Sequence, residues 1–187
     1  MTVVEKIARL VEDACKQDAN FFGYEAWTDH ILSVVKYAKL LAKKMNADEE
    51  IVELAALLHD YASVSNKDWY PEHHIHGARL AREILMGLRY PEERITIIEQ
   101  SILSHRGSKS IKRESVEAEV LASADAMAHF DNLHSLFYLA FKVRGLDIQS
   151  GTDFVRNKLE RSWNKLIPEA KEIIKPQRQA ISLLLKK

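Results

Sequence analysis

The sequence predicts an all-α protein, a single domain spanning residues 1–187. Three observations carry that expectation. Apolar residues return every three or four positions along nearly the whole chain, beginning with Val3, Val4, Ile7, Leu10, Val11 and Ala14. No segment shows the alternation of β-branched and polar residues that marks a half-buried strand. The 187 residues include only six glycines and four prolines, few breakers for this length.

The periodicity places helices near 2–18, 26–45, 48–60, 72–88, 91–105, 113–129, 131–143, 152–166 and 169–184. The second carries the stripe Trp27, Ile31, Val34, Ala38, Leu41 and Met45, and Ala47-Asp48 caps the third. In the third, Ile51–Leu58 is apolar except for Glu53, so protein should surround it. Residues 61–70 lack periodicity and read as a surface loop. Pro71 and Pro91 stand where a first helical turn tolerates proline. The fourth helix buries Gly77, Ala78, Leu80, Ala81, Ile84, Leu85 and Leu88; the fifth buries Ile95, Ile98 and Ile102; the sixth, Ala118, Leu121 and Ala128. Gly107, Gly145 and Gly151 punctuate loops. Trp27, Phe130, Phe137, Phe141 and Trp163 read as core or helix contacts, and His129 and His134 as structural or surface residues. Leu133–Val143 and the C-terminal ISLLLKK are apolar enough for either an internal core or a homodimer contact.

Composition excludes several classes. Hydrophobic residues are 47% and charged residues 29%, enough apolar material for a core. Lys+Arg and Asp+Glu are both 27, a balance that argues against a dedicated nucleic-acid binder. The single Cys15 excludes an internal disulfide and a cysteine-built zinc site, and fits a reducing compartment. No stretch approaches the roughly 20 apolar residues of a membrane span, and the N-terminus lacks a signal-peptide core. The expectation is a cytoplasmic protein without a membrane partner.

Against this background five polar residues stand where the pattern calls for aliphatic ones. His30 lies in the stripe of the second helix, His59-Asp60 ends the apolar third, His105 continues the row Ile95, Ile98, Ile102, and Asp125 shares a face with Ala118, Leu121 and Ala128. Taken alone, His59 could simply face a helix C-terminus while Asp60 faces water. Five such groups on four helices are satisfied together by a shared metal ion, which neutralises carboxylates and uses imidazole lone pairs. The fourth helix adds His73, His74 and His76. At about 100° per residue, His74 falls nearest the centre of the apolar face, His73 on its flank and His76 towards solvent.

These motifs resemble the HD-domain superfamily of metal-dependent phosphohydrolases. The resemblance rests on His30 in WTDHILSVV, His59-Asp60 in ELAALLHDYA, Asp125 in LASADAMAHF, and the intervening HHIHGA and ILSHR. It covers about residues 24–130, with residues 131–187 completing the bundle. It implies a helical bundle with a central metal site. His30, His59, Asp60 and Asp125 would hold one divalent ion; His74 or His73, with His105, could hold a second, bridged by Asp60, which is also the catalytic carboxylate. Mixed nitrogen and oxygen ligation suits Mn, Fe, Co, Ni or Zn. The implied reaction is hydrolysis of a phosphate ester or anhydride.

Two departures narrow the substrate. Tyr61-Ala62-Ser63-Val64 after His59-Asp60 offers no acidic pair of the kind alarmone hydrolases carry, and the Gly-Tyr-Pro signature of cyclic-dinucleotide phosphodiesterases is absent. A nucleotide or other small phosphorylated metabolite is the expected partner. Residues 104–113 are basic and lack acids, which offers Arg106 and Lys109 as phosphate contacts, although a solvated loop explains the same residues. A non-catalytic metal or nucleotide sensor and a di-iron oxygenase are the competing readings.

Overall fold

The computed structural model describes residues 1–106 and 111–185. Among them the secondary structure is helical, without strands. Helix α1 (Val3–Cys15) opens with a capping box in which Thr2 and Glu5 satisfy each other's backbone N–H groups. A π-helical turn, Ala26–Ile31, runs directly into α2 (Leu32–Met45). Asn46, at φ 54°, ends α2 in the left-handed conformation that asparagine tolerates. Asp48 then caps α3 (Glu49–Leu58), accepting from the N–H groups of Glu50 and Ile51.

The chain leaves α3 through His59 and Asp60. Asp60 sits at φ −108°, ψ 8°, outside the helical region, so the path breaks there before α4 (Tyr61–Ser65). A 3-10 turn, Lys67–Glu72, leads to α5 (His73–Gly87), followed by α6 (Glu92–Ser104) and α7 (Val116–Asp131). After α8 (Leu133–Tyr138) and a second π turn, Leu139–Val143, come α9 (Ile148–Lys165) and α10 (Pro168–Leu184).

Helix α7 is the axis of the molecule. It packs against α2, α3, α6, α9 and α10, and every residue from Leu121 to Phe130 is buried. Small residues (Ala122, Ser123, Ala124, Ala126, Ala128) allow neighbours on all sides, which removes any amphipathic stripe. Helix α3 is nearly as enclosed, as its apolar run requires. Gly77 lets α5 approach the end of α3: a Cβ there would stand 3.2 Å from the His59 carbonyl oxygen and 3.3 Å from Ile102.

Three expectations of layout change. Residues 61–70 are not a loop but α4 and a 3-10 turn, held by Ala62 and Val64 in the core. Helix α9 starts at Ile148, earlier than periodicity indicates, because Asp147 caps a first turn that buries little. The helix expected over 131–143 is two pieces with different hydrogen-bond periods. No described helix is long and apolar enough to cross a membrane.

Candidate metal centre

The C-terminal ends of α3 and α6 and the N-terminal end of α5 meet beside α2 and α7, and each brings an imidazole. At these helix ends each histidine ring bonds a backbone carbonyl three residues earlier. His59 Nδ1 donates to the Ala56 carbonyl at 2.7 Å, His105 Nδ1 to Ile102 at 2.6 Å, and His73 Nδ1 to Tyr70 at 2.8 Å. A carbonyl only accepts, so in each ring the proton sits on Nδ1. The Nε2 lone pair is thereby aimed inward. The simple reading of His59, a partner for its own helix terminus, thus holds for one ring nitrogen and leaves the other for the site.

Those Nε2 atoms converge on two carboxylates. Asp60 Oδ2 lies 3.3 Å from His30 Nε2 and 3.4 Å from His59 Nε2, while its Oδ1 lies 3.5 Å from His73 Nε2. His73 and His105 face each other at 3.3 Å, Nε2 to Nε2. Asp125 Oδ1 is 3.6 Å from His30 and 3.6 Å from His129, and its Oδ2 is bound by Lys165 at 2.5 Å. Among the described residues, three groups have ligand atoms mutually close enough for one ion: His30, His59 and Asp60; His30, Asp125 and His129; and Asp60, His73 and His105.

Electrostatics fit that use. Burial opposes charge on Asp60, yet the imidazoles of His59, His30 and His73 outweigh it and hold the carboxyl well below its usual range. Asp125 is likewise held down, against burial, by Lys165, His129 and His30. Burial lowers His59, but Asp60 and Asp125 reverse the sign and leave it raised. Burial pushes His73 down, and burial with the neighbouring His73 and His59 pushes His105 well down. Two neutral rings with lone pairs 3.3 Å apart repel. A cation between them removes the repulsion, so this donor set suits a divalent metal.

The structure therefore brings together His30, His59, Asp60, His105 and Asp125, and it selects His73 rather than His74. His74 is 2% exposed, as its place on the apolar face requires. Its Nε2 nevertheless lies 3.8 Å from Glu72, and it joins none of the three groups. The helical wheel ranks residues about an axis, whereas the site lies beyond the end of α5, where the Tyr70 carbonyl steers His73. His76 is half-buried and stacks on Trp69, with ring centroids 5.2 Å apart. Arg106 lines the same cavity and donates to the Pro71 carbonyl. Lys109 lies outside the described residues.

Two residues escaped the sequence reading. His129, expected to be structural or surface, is 7% exposed, stacks on His30 and bonds Ser162 at 2.9 Å through Nδ1. It stands four residues after Asp125, and that spacing on one helical face was the available signal. Lys165 was silent because nothing in sequence pairs it with a residue forty positions earlier. The centre opens into a cavity of about 750 Å³, whose walls include Phe22, Tyr70, Arg144, Lys158 and Arg161.

The sequence profile of the HD domain matches residues 27–129, more than half of the chain. This chain belongs to the HD-domain family. An uncharacterized protein of Clostridium beijerinckii is 37% identical over 83 residues, 43% of this HD-domain chain and 53% of the relative; the chain thus spans about half the length of that relative. Among solved structures, Bacillus subtilis YpgQ in complex with ADP superposes with a TM-score of 0.69 at 21% identity, covering 98% of this chain and 96% of that one. An HD-superfamily hydrolase from Bacillus thuringiensis superposes with a TM-score of 0.66 at 20% identity, over 98% and 95% of the two chains. At that identity the likeness is one of fold, and it extends past residues 27–129 to α8, α9 and α10.

Proposed function

We propose that this HD domain is a metal-dependent phosphohydrolase that cleaves a phosphate ester or anhydride in a nucleotide or other small phosphorylated metabolite. The observation that carries this is Asp60, whose two oxygens address separate imidazole groups at the wall of a cavity of small-molecule size. The ADP bound by the B. subtilis neighbour and the hydrolase activity named for the B. thuringiensis one support the same class.

In this reading His30, His59, Asp60 and Asp125 hold one divalent transition metal (Mn, Fe, Co, Ni or Zn), and Asp60, His73 and His105 a second. Such an ion supplies a water acidified towards neutral pH and polarises the phosphoryl oxygen that gathers charge. The chain's own residues do the rest. The Nδ1 bonds to Ala56, Tyr70 and Ile102 keep three rings from rotating. Asp60 stays ionised, accepts a hydrogen bond from the attacking water and orients it. Lys165 fixes Asp125 from behind. Arg106, anchored through Nη1 to the Pro71 carbonyl, offers its remaining N–H groups to a non-bridging phosphate oxygen. Phe22 and Tyr70, with ring centroids 5.2 Å apart, form an apolar wall.

The test is elemental analysis of the purified chain, followed by turnover of a panel of phosphorylated metabolites with each metal. One or two ions per chain and phosphate release are expected, with Asp60→Asn lowering kcat by roughly 10²–10⁴-fold. Metal binding without turnover would replace this reading with that of a sensor. Oxygen-dependent product formation with iron would replace it with an oxygenase.

A further inference from the structure

Helix α9 lines the cavity with a polar stripe that the metal centre does not consume. Lys158, Arg161, Ser162 and Lys165 all border the cavity, at spacings that put them on one helical face. Two have work already: Ser162 bonds His129, and Lys165 neutralises Asp125. The other two do not. Among the described residues, neither Lys158 nor Arg161 holds a carboxylate, and Arg144, on the π turn before α9, lies only over the ring of Phe154 at 4.5 Å. Away from the cavity, Arg79, Arg82, Arg94, Arg113, Arg156 and Arg178 each grip an acidic side chain, and the two arginines that grip none among the described residues, Arg9 and Arg89, stand exposed rather than on a cavity wall.

Cations unmatched on the wall of a cavity need an anion from solution. Lys158 lines the same cavity as Asp60 and Asp125 of the metal centre and as the guanidinium groups of Arg106, Arg144 and Arg161. A phosphate held at the metal centre shares its cavity with Arg106, and Arg161 and Arg144 add further positive charge to the same wall. A monophosphate leaves that charge unanswered; a chain of phosphates does not.

We propose that Lys158, Arg161 and Arg144 form an anion subsite for a second phosphate of the substrate, so that the substrate is a di- or triphosphate rather than a monophosphate ester. The substrate class rests on the phosphohydrolase reading, but the subsite is built from side chains alone and binds without metal. Calorimetric titration of the full chain in EDTA, at fixed low salt, separates the two. Tripolyphosphate should bind at least tenfold more tightly than orthophosphate, and Arg161→Gln should remove most of that preference. Arg161 is solvent-exposed, so its variant keeps the fold; Lys158→Gln, checked by thermal melting, should weaken tripolyphosphate further. Equal affinities for the two anions, or an Arg161→Gln variant that binds tripolyphosphate like the wild type, would overturn the subsite. Tight tripolyphosphate binding in a chain that hydrolyses nothing when metal-loaded would leave the subsite standing and remove the phosphohydrolase reading instead.

Discussion

Lys165 and Asp125 are 6% and 10% exposed at their side chains and 2.5 Å apart, a nearly dry ion pair. Removing one member leaves the other charge buried and unpaired. Lys165→Met should therefore cost about 3–5 kcal/mol in urea denaturation without metal, and less with a divalent ion present, because the ion takes over the compensation of Asp125. A loss below about 1 kcal/mol in both conditions would contradict the pairing. Cys15 makes a different kind of prediction. Burial, then the charges of Asp60 and Glu12, push its thiol up to about 12. At pH 8 the folded protein should resist thiol alkylation and react only on unfolding. Because the folded thiol holds its proton more tightly than the unfolded one, this stabilisation is complete below the ordinary thiol range and is lost as pH rises towards about 12. At this scale the sequence was legible where a polar residue interrupted an apolar stripe, as at His30, His105 and Asp125. It was silent for Lys165, whose partner is set by the packing of α9 on α7.

Helix ends, more than helix faces, build the centre. His59 and His105 follow the last turns of α3 and α6, and His73 opens α5. The approach of α5 to the end of α3 therefore sets the distance of His73 from Asp60, and Gly77 permits that approach. Gly77→Val should cost about 1–3 kcal/mol by overpacking. It should also weaken metal binding by more than a core substitution of equal cost far from the site, such as Ile174→Val; equal metal affinity in the two variants would show that the close approach is incidental. The π turn Ala26–Ile31 brings Asp29 and His30 to the same cavity, with Asp29 held by His134 at 3.0 Å. Periodicity assumes one regular helix, so it located His30 but missed this turn. It missed α4 for a related reason: five residues are too few to show a period, and their burial comes from α1 and α5.

The whole molecule places side chains from the π turn Ala26–Ile31, the ends of α3, α5 and α6, and α7 around one centre, and α9 behind it. An ion bound by so many elements binds the folded state and not the unfolded one. At a hundredfold excess over its dissociation constant it should add about 2.7 kcal/mol, a rise in melting temperature of roughly 5–10 °C. Differential scanning calorimetry with Mn, Co, Ni and Zn salts checks this, and Asp60→Asn should abolish the shift. No shift with any of these ions, even at millimolar concentration, would remove the metal centre.

The sequence by itself determined the helical class, the family motifs, and four of the residues that converge with Asp60. Those follow from local periodicity, because a polar residue on an apolar face is visible without knowing what it touches. Only the tertiary structure chose His73 over His74, added His129 and Lys165, and turned the α9 cations towards the cavity. Each of these depends on where one helix ends relative to another, and that is fixed by packing between segments far apart in the chain, which no local pattern records.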